Sequence, residues 1–136
     1  MNNESNSFTD LGINDAFTET LASLTITKPT AVQSRVIPAL HEGKSVLFQS
    51  ETGTGKTFAY LLPLLQKIDT SKKDTSILIV APTHELASQI KAQVQSISSI
   101  KTALCIGGAS IKRQVETLKE KPLIVIGGPV RLIELI

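Results

Sequence analysis

The most informative residues of this chain occupy positions 50–57 and read Ser-Glu-Thr-Gly-Thr-Gly-Lys-Thr. They follow an apolar run at 45–49 and precede a helical pattern that begins at Phe58. A strand, a glycine-containing loop and a helix start make a cradle for phosphate. Backbone N–H groups converge there on anionic oxygens, and the helix N-terminus adds roughly half a positive charge. In this pattern Lys56 reaches the terminal phosphates and the Thr57 hydroxyl coordinates Mg²⁺. The sequence therefore predicts nucleoside triphosphate binding.

The whole phosphate loop, residues 50–57, is a candidate site. The strict pattern has a glycine five residues before Gly55, where this chain has Ser50. The alternative is an ordinary turn between a strand and a helix, which the strand–loop–helix context disfavours. The predicted phosphate-binding residues are Ser50, Glu51, Thr52, Gly53, Thr54, Gly55, Lys56 and Thr57.

Composition sets broad limits. The 136 residues suffice for one domain with a layered core. A net charge of +2 permits polyanion binding without requiring it, and an ordinary solvated surface explains it equally well. Cys105 is the single cysteine, which excludes an internal disulfide framework and fits a reducing cytoplasm. It lies in an apolar run and is predicted to be a core residue. Residues 1–7 are polar, carry no signal-peptide pattern, and are expected to be a disordered segment before a domain at 8–136.

Helical and strand patterns alternate along the chain. Helices are predicted at 11–24, 31–40, 56–68, 84–96 and 111–120, with a further helix starting at Pro129. The predicted N-caps are Asn14, Thr30, Thr83 and Ser110. Strands are predicted at 45–49, 76–81, 102–106 and 123–126, with the strand at 76–81 buried on both faces. This order indicates an α/β fold with a parallel sheet flanked by helices and joined by right-handed crossovers.

The loops that follow these strands are where ligands are expected. In parallel sheets ligands gather at the carboxyl ends of the strands. Loops beginning at Ser50, Pro82, Gly107 and Gly127 all follow predicted strands, so we expect them to share one rim. The phosphate site then lies beside loops that can hold a second ligand.

Five motifs occur in a fixed order. They are Thr-Lys-Pro-Thr-Ala-Val-Gln at 27–33, the phosphate loop, Pro-Thr-His-Glu-Leu-Ala at 82–87, the glycine doublet at 107–108, and Gly-Pro-Val-Arg at 128–131. From Phe8 to Ile136 this order and spacing resemble the first RecA-like domain of DEAD-box ATP-dependent RNA helicases. The resemblance implies a RecA-like P-loop NTPase domain, with Lys56 and Thr57 as catalytic residues and Thr57 as the metal ligand.

The first motif resembles the Q motif of that family, which implies ATP as the nucleotide, with Mg²⁺. Gln33 would read the adenine edge, because its amide carbonyl accepts from the exocyclic amine and its NH₂ donates to a ring nitrogen. Phe8, Ile26 and Lys28 join the implied nucleotide site. The family has a glycine and then an aromatic residue where this chain has Thr25 and Ile26. Ile26 offers apolar contact without a ring stack, which is worth roughly 1–3 kcal/mol.

The last three motifs resemble the PTRELA, GG and TPGR motifs, which hold single-stranded RNA in the family. The implied RNA-binding residues are Pro82, Thr83, His84, Gly107, Gly108, Gly128 and Arg131. Three departures reduce these contacts. His84 replaces an arginine, Gly128 replaces a threonine, and Val130 replaces a glycine that lets a phosphate approach closely.

The resemblance places further motifs beyond Ile136. These are the DEAD sequence that holds Mg²⁺ and orients water, the SAT motif, and a second RecA-like domain. We therefore expect a monomeric, cytoplasmic N-terminal part of a helicase that clamps and unwinds RNA with ATP hydrolysis but does not turn over ATP by itself. Its partners would be single-stranded or structured RNA and the missing C-terminal domain, with no membrane. Leu132, Leu135 and Ile136 would need a partner surface from outside the chain.

Two other functions remain open from the sequence. The first is a P-loop ATPase of another class, such as a phosphoryl-transfer enzyme, which has no need of residues 8–33. The second is a nonhydrolysing, helicase-like RNA-binding adaptor, which the altered RNA motifs favour. Several candidates also have purely structural interpretations: a plain turn at Gly107–Gly108, a helix cap at Thr83, a solvated His84, an exposed Arg131, and solvated loop charge at Lys72–Lys73.

Overall fold

The computed structural model describes residues 7–51, 53 and 55–135, which form two compact units, Met1–Lys67 and Ile68–Ile136. The predicted disordered segment lies outside the described residues except for Ser7. Thr52 and Thr54 of the phosphate loop, and Ile136, also lie outside them.

The first unit is built of helices. A 3₁₀ turn at Thr9–Leu11 is followed by α1 (Asp15–Ser23), α2 (Ala31–His41) and α3 (Lys56–Lys67). The predicted helix at 11–24 begins later than expected because Gly12, at φ 91°, ends the 3₁₀ turn in a left-handed conformation. Asn14 caps α1 as predicted, its side chain accepting a hydrogen bond from the Phe17 backbone N–H at 2.9 Å.

Helices α2 and α3 pack against each other and carry most of the first unit's core. Thr30 caps α2 as predicted, and Gln33 completes a capping box with it. Both helices continue through a proline, Pro38 in α2 and the buried Pro63 in α3. The fully buried large side chains of this unit are Phe8, Ile13, Leu21, Ile37, Leu61, Leu62 and Pro63.

The predicted strand at 45–49 is not a strand in the structure. A strand exists only where a neighbouring strand takes up its backbone hydrogen bonds. Among the described residues no segment pairs with 45–49. Leu47 is accordingly 100% exposed and Val46 37% exposed. The backbone segment before the phosphate loop is therefore irregular.

The second unit contains the parallel sheet. Its strands are β1 (Ile77–Val80), β2 (Thr102–Cys105) and β3 (Ile124–Gly127), in the order β1–β3–β2. The helices are α4 (His84–Ile97), α5 (Ile111–Lys119) and α6 (Pro129–Leu135). All four residues of the central strand β3 are buried. The predicted parallel sheet flanked by helices is confirmed.

One face of β1 is uncovered, contrary to the prediction that this strand is buried on both faces. Ile77 is buried, but Leu78 and Val80 on the opposite face are 61% and 56% exposed. β1 is an edge strand, and successive side chains of a strand point to opposite faces. When only one face of this strand is covered, every second side chain remains exposed to solvent.

Over β2 and β3 this same face of the sheet is covered by α5 and α6, since Leu78 is in register with Val125 and Val80 with Gly127. Leu118, Leu132 and Leu135 pack on the buried cluster of Ala103, Cys105 and Val125. The expectation that Leu132 and Leu135 need a surface from outside the chain is wrong, because α6 begins two residues after β3 and folds back onto the sheet. Cys105 is fully buried, as predicted. No helix in the described part of the chain is both long and apolar enough to cross a membrane.

Candidate functional site

The phosphate loop enters α3 through two left-handed glycines. Gly53 has φ 86° and Gly55 has φ 81°, and the helix begins at Lys56. An L-residue in this conformation costs roughly 1–2 kcal/mol, whereas glycine adopts it freely. The two glycines therefore let the chain turn directly into the N-terminus of α3, where the first N–H groups of the helix are available to an anion.

Gln33 links this loop to the start of α2. Its side chain is 2% exposed. Its Oε1 accepts a hydrogen bond from the Thr30 backbone N–H at 2.9 Å, and its Nε2 donates to the Gly55 carbonyl at 3.1 Å. A Cβ at Gly55 would collide with the Gln33 amide. Glycine is thus required at position 55 for two reasons: its left-handed backbone angle and the close packing of the Gln33 side chain.

Lys56 and Thr57 lie in the first turn of α3 and are both partly exposed. The Thr57 side chain is hydrogen-bonded to Tyr60, one turn further along the helix. Burial raises the pKa of Tyr60, and the bond from Thr57 opposes that shift. A threonine hydroxyl has two lone pairs, so a single hydrogen bond to the phenol leaves at least one of them for a cation. The sequence analysis missed Tyr60, whose i, i+3 spacing from Thr57 was the available signal.

The remaining nucleotide candidates differ in exposure. Phe8 is 1% exposed and belongs to the core of the first unit, whereas Ile26 is partly exposed and Lys28 exposed. Thr25 has φ 64°, a left-handed conformation that a β-branched residue rarely adopts. Glycine at this position, as in the family that the motif resembles, removes that strain.

Three of the four predicted rim loops meet in the second unit; the phosphate loop belongs to the first. The Ala81 N–H donates to the Gly127 carbonyl at 2.9 Å, and the Gly128 N–H donates to the Cys105 carbonyl at 3.2 Å. The strands also end level, with Val80 and Cys105 both in register with Gly127. We call the loops at 81–83, 106–110 and 128 the rim loops.

Thr83 and His84, at the start of α4, lie at the rim, and the His84 side chain approaches the loop at 106–110. Thr83 caps α4 by accepting from the Leu86 N–H at 3.1 Å, which leaves its O–H able to donate to another group. His84 is exposed, and its Nε2 lies 3.4 Å from the position that a Cβ would take on Gly107. Gly108 has φ 80° and turns the chain beside it.

Arg131 is buried against the glycine loop instead of being exposed on its helix. Its side chain is 12% exposed. Nη1 donates to the Ala109 carbonyl at 2.9 Å and to Gln114 Oε1 at 3.0 Å. The interpretation of Arg131 as an exposed helix residue is therefore wrong. Burial raises the pKa of Cys105, which keeps the thiol protonated and inert, and the nearby Arg131 charge opposes this rise only in part.

Gln114 completes this arrangement and was missed by the sequence analysis. It is 5% exposed, and its Nε2 donates to the Ile106 carbonyl at 2.8 Å. Gln114 and Arg131 together fix both ends of the loop that contains the glycine doublet. The available signal was an amide at a helical position between apolar Ile111 and Leu118.

Val130 and Gly128 both differ from the family pattern, and the structure shows how much space surrounds each of them. Val130 is 71% exposed, so its side chain is presented to solvent at the rim. A Cβ at Gly128 would lie 3.9 Å from the Ala81 carbonyl oxygen, an ordinary contact. The packing around the Cβ position of residue 128 therefore does not impose glycine.

The two loop glycines differ in a way that can be measured. Both Gly53→Ala and Gly55→Ala add left-handed strain, but only the Cβ at 55 meets Gln33. We expect Gly55→Ala to lower the free energy of unfolding by at least about 1 kcal/mol more than Gly53→Ala. Urea unfolding measures both values. Equal losses, or no recovery when Gln33→Ala is added to Gly55→Ala, would contradict the described packing.

Gln114 and Arg131 should be energetically coupled. We expect a double-mutant cycle of Gln114→Ala and Arg131→Ala to give a coupling of about 0.5–3 kcal/mol in chemical denaturation, because each leaves the other's polar group unpaired. Arg113→Ala combined with Arg131→Ala is the matched control, since Arg113 is an exposed arginine of the same helix as Gln114. Additive effects in the first cycle would show that no network holds the loop.

Comparison with known proteins shows which family this chain is similar to. The sequence profile described as DEAD/DEAH box helicase matches residues 30–136. The DEAD-box ATP-dependent RNA helicase CshC of Bacillus cereus is 49% identical over 110 residues, which is 79% of this chain and 28% of the relative. CshB of the same species is 38% identical over 136 residues, 95% of this chain and 31% of that relative. This chain thus spans under a third of either protein.

Solved structures show the same similarity. The crystal structure of a DEAD box protein from the hyperthermophile Methanococcus jannaschii matches with a TM-score of 0.89 and 29% identity, over 96% of this chain and 37% of that one. A hypothetical ATP-dependent RNA helicase from Sulfolobus tokodaii matches with a TM-score of 0.79 and 31% identity, over 90% of this chain and 36% of that one. The chain therefore belongs to the DEAD/DEAH box helicase family and has the RecA-like fold of its first domain.

Proposed function

We propose that this chain is the ATP-binding part of an ATP-dependent RNA helicase, in which the first unit holds ATP and the rim loops hold RNA. The observation that carries the proposal is the phosphate loop itself, with left-handed Gly53 and Gly55 leading into α3 and Gln33 bonded to it. The relatives named as RNA helicases support the same activity for the longer protein.

The nucleotide phosphates bind at the start of α3. The helix N-terminus and the Lys56 ammonium oppose the phosphate charge, and the loop backbone supplies N–H donors. The Thr57 hydroxyl, an oxygen ligand of the kind Mg²⁺ prefers, fits the metal of a Mg–ATP complex. When bound, Mg²⁺ would neutralise part of the negative charge of the phosphates. The proposed phosphate-binding residues remain Ser50, Glu51, Thr52, Gly53, Thr54, Gly55, Lys56 and Thr57.

The adenine contacts Gln33, with Ile26, Lys28 and Phe8 around it in our proposal. The Gln33 amide has four hydrogen-bonding positions, and the structure uses one donor and one acceptor within the chain. One N–H and one lone pair remain, which is the number needed for the adenine amine and ring nitrogen. Base binding and the phosphate loop are then coupled through a single side chain.

RNA phosphates contact the rim loops. The proposed contacts are Pro82, Thr83, His84, Gly107, Gly108 and Gly128, through hydroxyl and backbone N–H donors. Such contacts position a strand without reading its bases. Arg131 contributes by fixing the loop at 106–109, since its guanidinium is already engaged there.

In the longer protein, a second RecA-like domain would close over both ligands. The buried Cys105 thiol fits a reducing cytoplasm. A nonhydrolysing RNA-binding adaptor is the second candidate function. Val130, exposed at the rim where the family has glycine, favours it, because its side chain keeps a phosphate at a distance.

Lys56 should carry much of the nucleotide affinity. We expect Lys56→Ala to weaken ADP and ATP binding roughly 10- to 100-fold, because a charge-assisted hydrogen bond to phosphate is worth about 1.5–3 kcal/mol. Isothermal titration calorimetry measures the affinity, and Lys44→Ala, an exposed lysine paired with Glu42, is the charge-matched control. Equal affinity in wild type and Lys56→Ala would refute the phosphate site.

Gln33 should make the site prefer adenine. Guanine presents a carbonyl and an N–H where adenine presents an amine and a ring nitrogen, so it leaves polar groups unpaired at about 1–3 kcal/mol each. We expect wild type to bind ADP about tenfold or more tightly than GDP, and Gln33→Ala to lose this preference. Isothermal titration calorimetry with ADP and GDP measures this preference in wild type and in Gln33→Ala. A mutant that keeps the preference would show that other residues read the base.

A further inference from the structure

The second unit contains a lysine-lined cavity that the proposed ATP and RNA sites do not use. Its volume is about 450 Å³. Five of the chain's 14 Lys and Arg residues line it, together with a single carboxylate: Lys72, Lys73, Lys101, Lys119, Lys121 and Glu120. Because the chain's net charge is only +2, this is a strong local concentration of positive charge.

The cavity lies at the edge of the sheet opposite the rim loops. Lys72 and Lys73 precede β1, Lys101 stands directly before β2, and Lys121 precedes β3. The strands are parallel, so their amino ends share one edge and their carboxyl ends share the other. Each strand has four residues, which separates the two edges by roughly 13 Å. A ligand in this cavity is therefore distinct from one on the rim loops.

Part of this lysine set is held in place. The Lys101 ammonium donates to the Glu120 carbonyl at 3.2 Å, which anchors it at the C-terminus of α5. The Lys119 ammonium lies 3.2 Å from the Glu116 carboxylate. Lys121 has φ 57°, an unusual conformation for a residue other than glycine, and its N–H donates to the Leu118 carbonyl. These lysines extend from defined backbone positions.

Negative charge around the cavity offsets only part of the positive charge of the lysines that line it. Glu120 lines it, Glu116 pairs with Lys119, and the C-terminus of α5 adds about half a negative charge. Asp69 and Asp74 flank the loop before β1, and the Asp69 carboxylate is engaged by Ser71. The lysines that line the cavity still outnumber the carboxylates in and next to it.

The chemistry of the lining defines the ligand. Lysine binds phosphate as a point charge, without the fixed fork of arginine. No aromatic or amide side chain lines the cavity, so nothing there stacks on or reads a base. Such a lining fits a chain of phosphates and carries no sequence preference.

We propose that this cavity is a second RNA contact, which holds the phosphodiester backbone of RNA extending beyond the rim loops. The proposal rests on the proposed function in that the chain acts on RNA, but it uses different residues. It predicts sequence-independent affinity that depends on RNA length and on salt, since each lysine–phosphate contact releases counterions.

The experiment is a salt titration of single-stranded RNA binding to the full 136-residue chain. Lys72→Gln/Lys73→Gln is compared with Lys44→Gln/Lys91→Gln, which removes the same charge away from the cavity. We expect the first pair to weaken binding of a long RNA about tenfold and to reduce the salt slope by about 1.4. The control pair leaves the slope unchanged. Circular dichroism confirms that both variants are folded.

A third variant, His84→Glu, separates this proposal from the proposed function, because it places a negative charge among the rim loops only. If His84→Glu weakens RNA binding and Lys72→Gln/Lys73→Gln does not, the cavity proposal is overturned and the rim remains. If only the lysine pair weakens binding, the cavity is the RNA site and the rim is not. If the Lys72→Gln/Lys73→Gln pair weakens binding of poly-glutamate but not of long RNA, the cavity takes an acidic protein segment and the proposal is overturned.

Discussion

The hydrogen bond from the Gln33 amide to the Gly55 carbonyl is the interaction on which the candidate nucleotide site depends. Two glycines of the phosphate loop, Gly53 and Gly55, have left-handed backbone angles. Gln33 is buried, completes the capping box of α2, and reaches the last loop residue before α3. One amide therefore sets the position of the loop relative to the helix that would carry the base contact.

The second unit also fixes its loops with side chains, but it uses other residues. Its rim loops are held by side chains from the helices that follow them, Gln114 from α5 and Arg131 from α6. In both units a buried polar side chain donates a hydrogen bond to a loop carbonyl, which helps to order an irregular backbone. A loop fixed in this way can present N–H groups to phosphate without paying for its ordering on binding.

Much of this arrangement could be predicted from the sequence because it depends on local signals. The caps Asn14, Thr30, Thr83 and Ser110 each accept from the expected backbone N–H, and the three strands of the sheet lie where their apolar runs predicted. Local patterns gave a wrong prediction where strand formation depends on pairing with a segment that is distant in the sequence. Residues 45–49 have a strand pattern but no pairing partner among the described residues, so Leu47 is left exposed.

The roles of individual polar residues were harder to predict. Arg131 was identified from its motif, yet its burial and its bonds to Ala109 and Gln114 depend on how α6 folds back on the sheet. Tyr60 and Gln114 belong to no motif and become visible only through their contacts. Leu132 and Leu135 were expected to lack a surface because the fold-back of α6 is a tertiary event with no local signature.

The most direct measurement is a two-dimensional ¹H–¹⁵N spectrum of the chain titrated with Mg–ADP. If the phosphate loop binds the nucleotide, the backbone amides of Gly53, Gly55, Lys56 and Thr57 and the side-chain NH₂ of Gln33 shift together and saturate at one affinity. The Gln33 resonances are the decisive ones, because they report both the base and the Gly55 carbonyl. Loop amides that shift while Gln33 stays unchanged would contradict the coupling, and an unchanged loop would contradict the nucleotide site altogether.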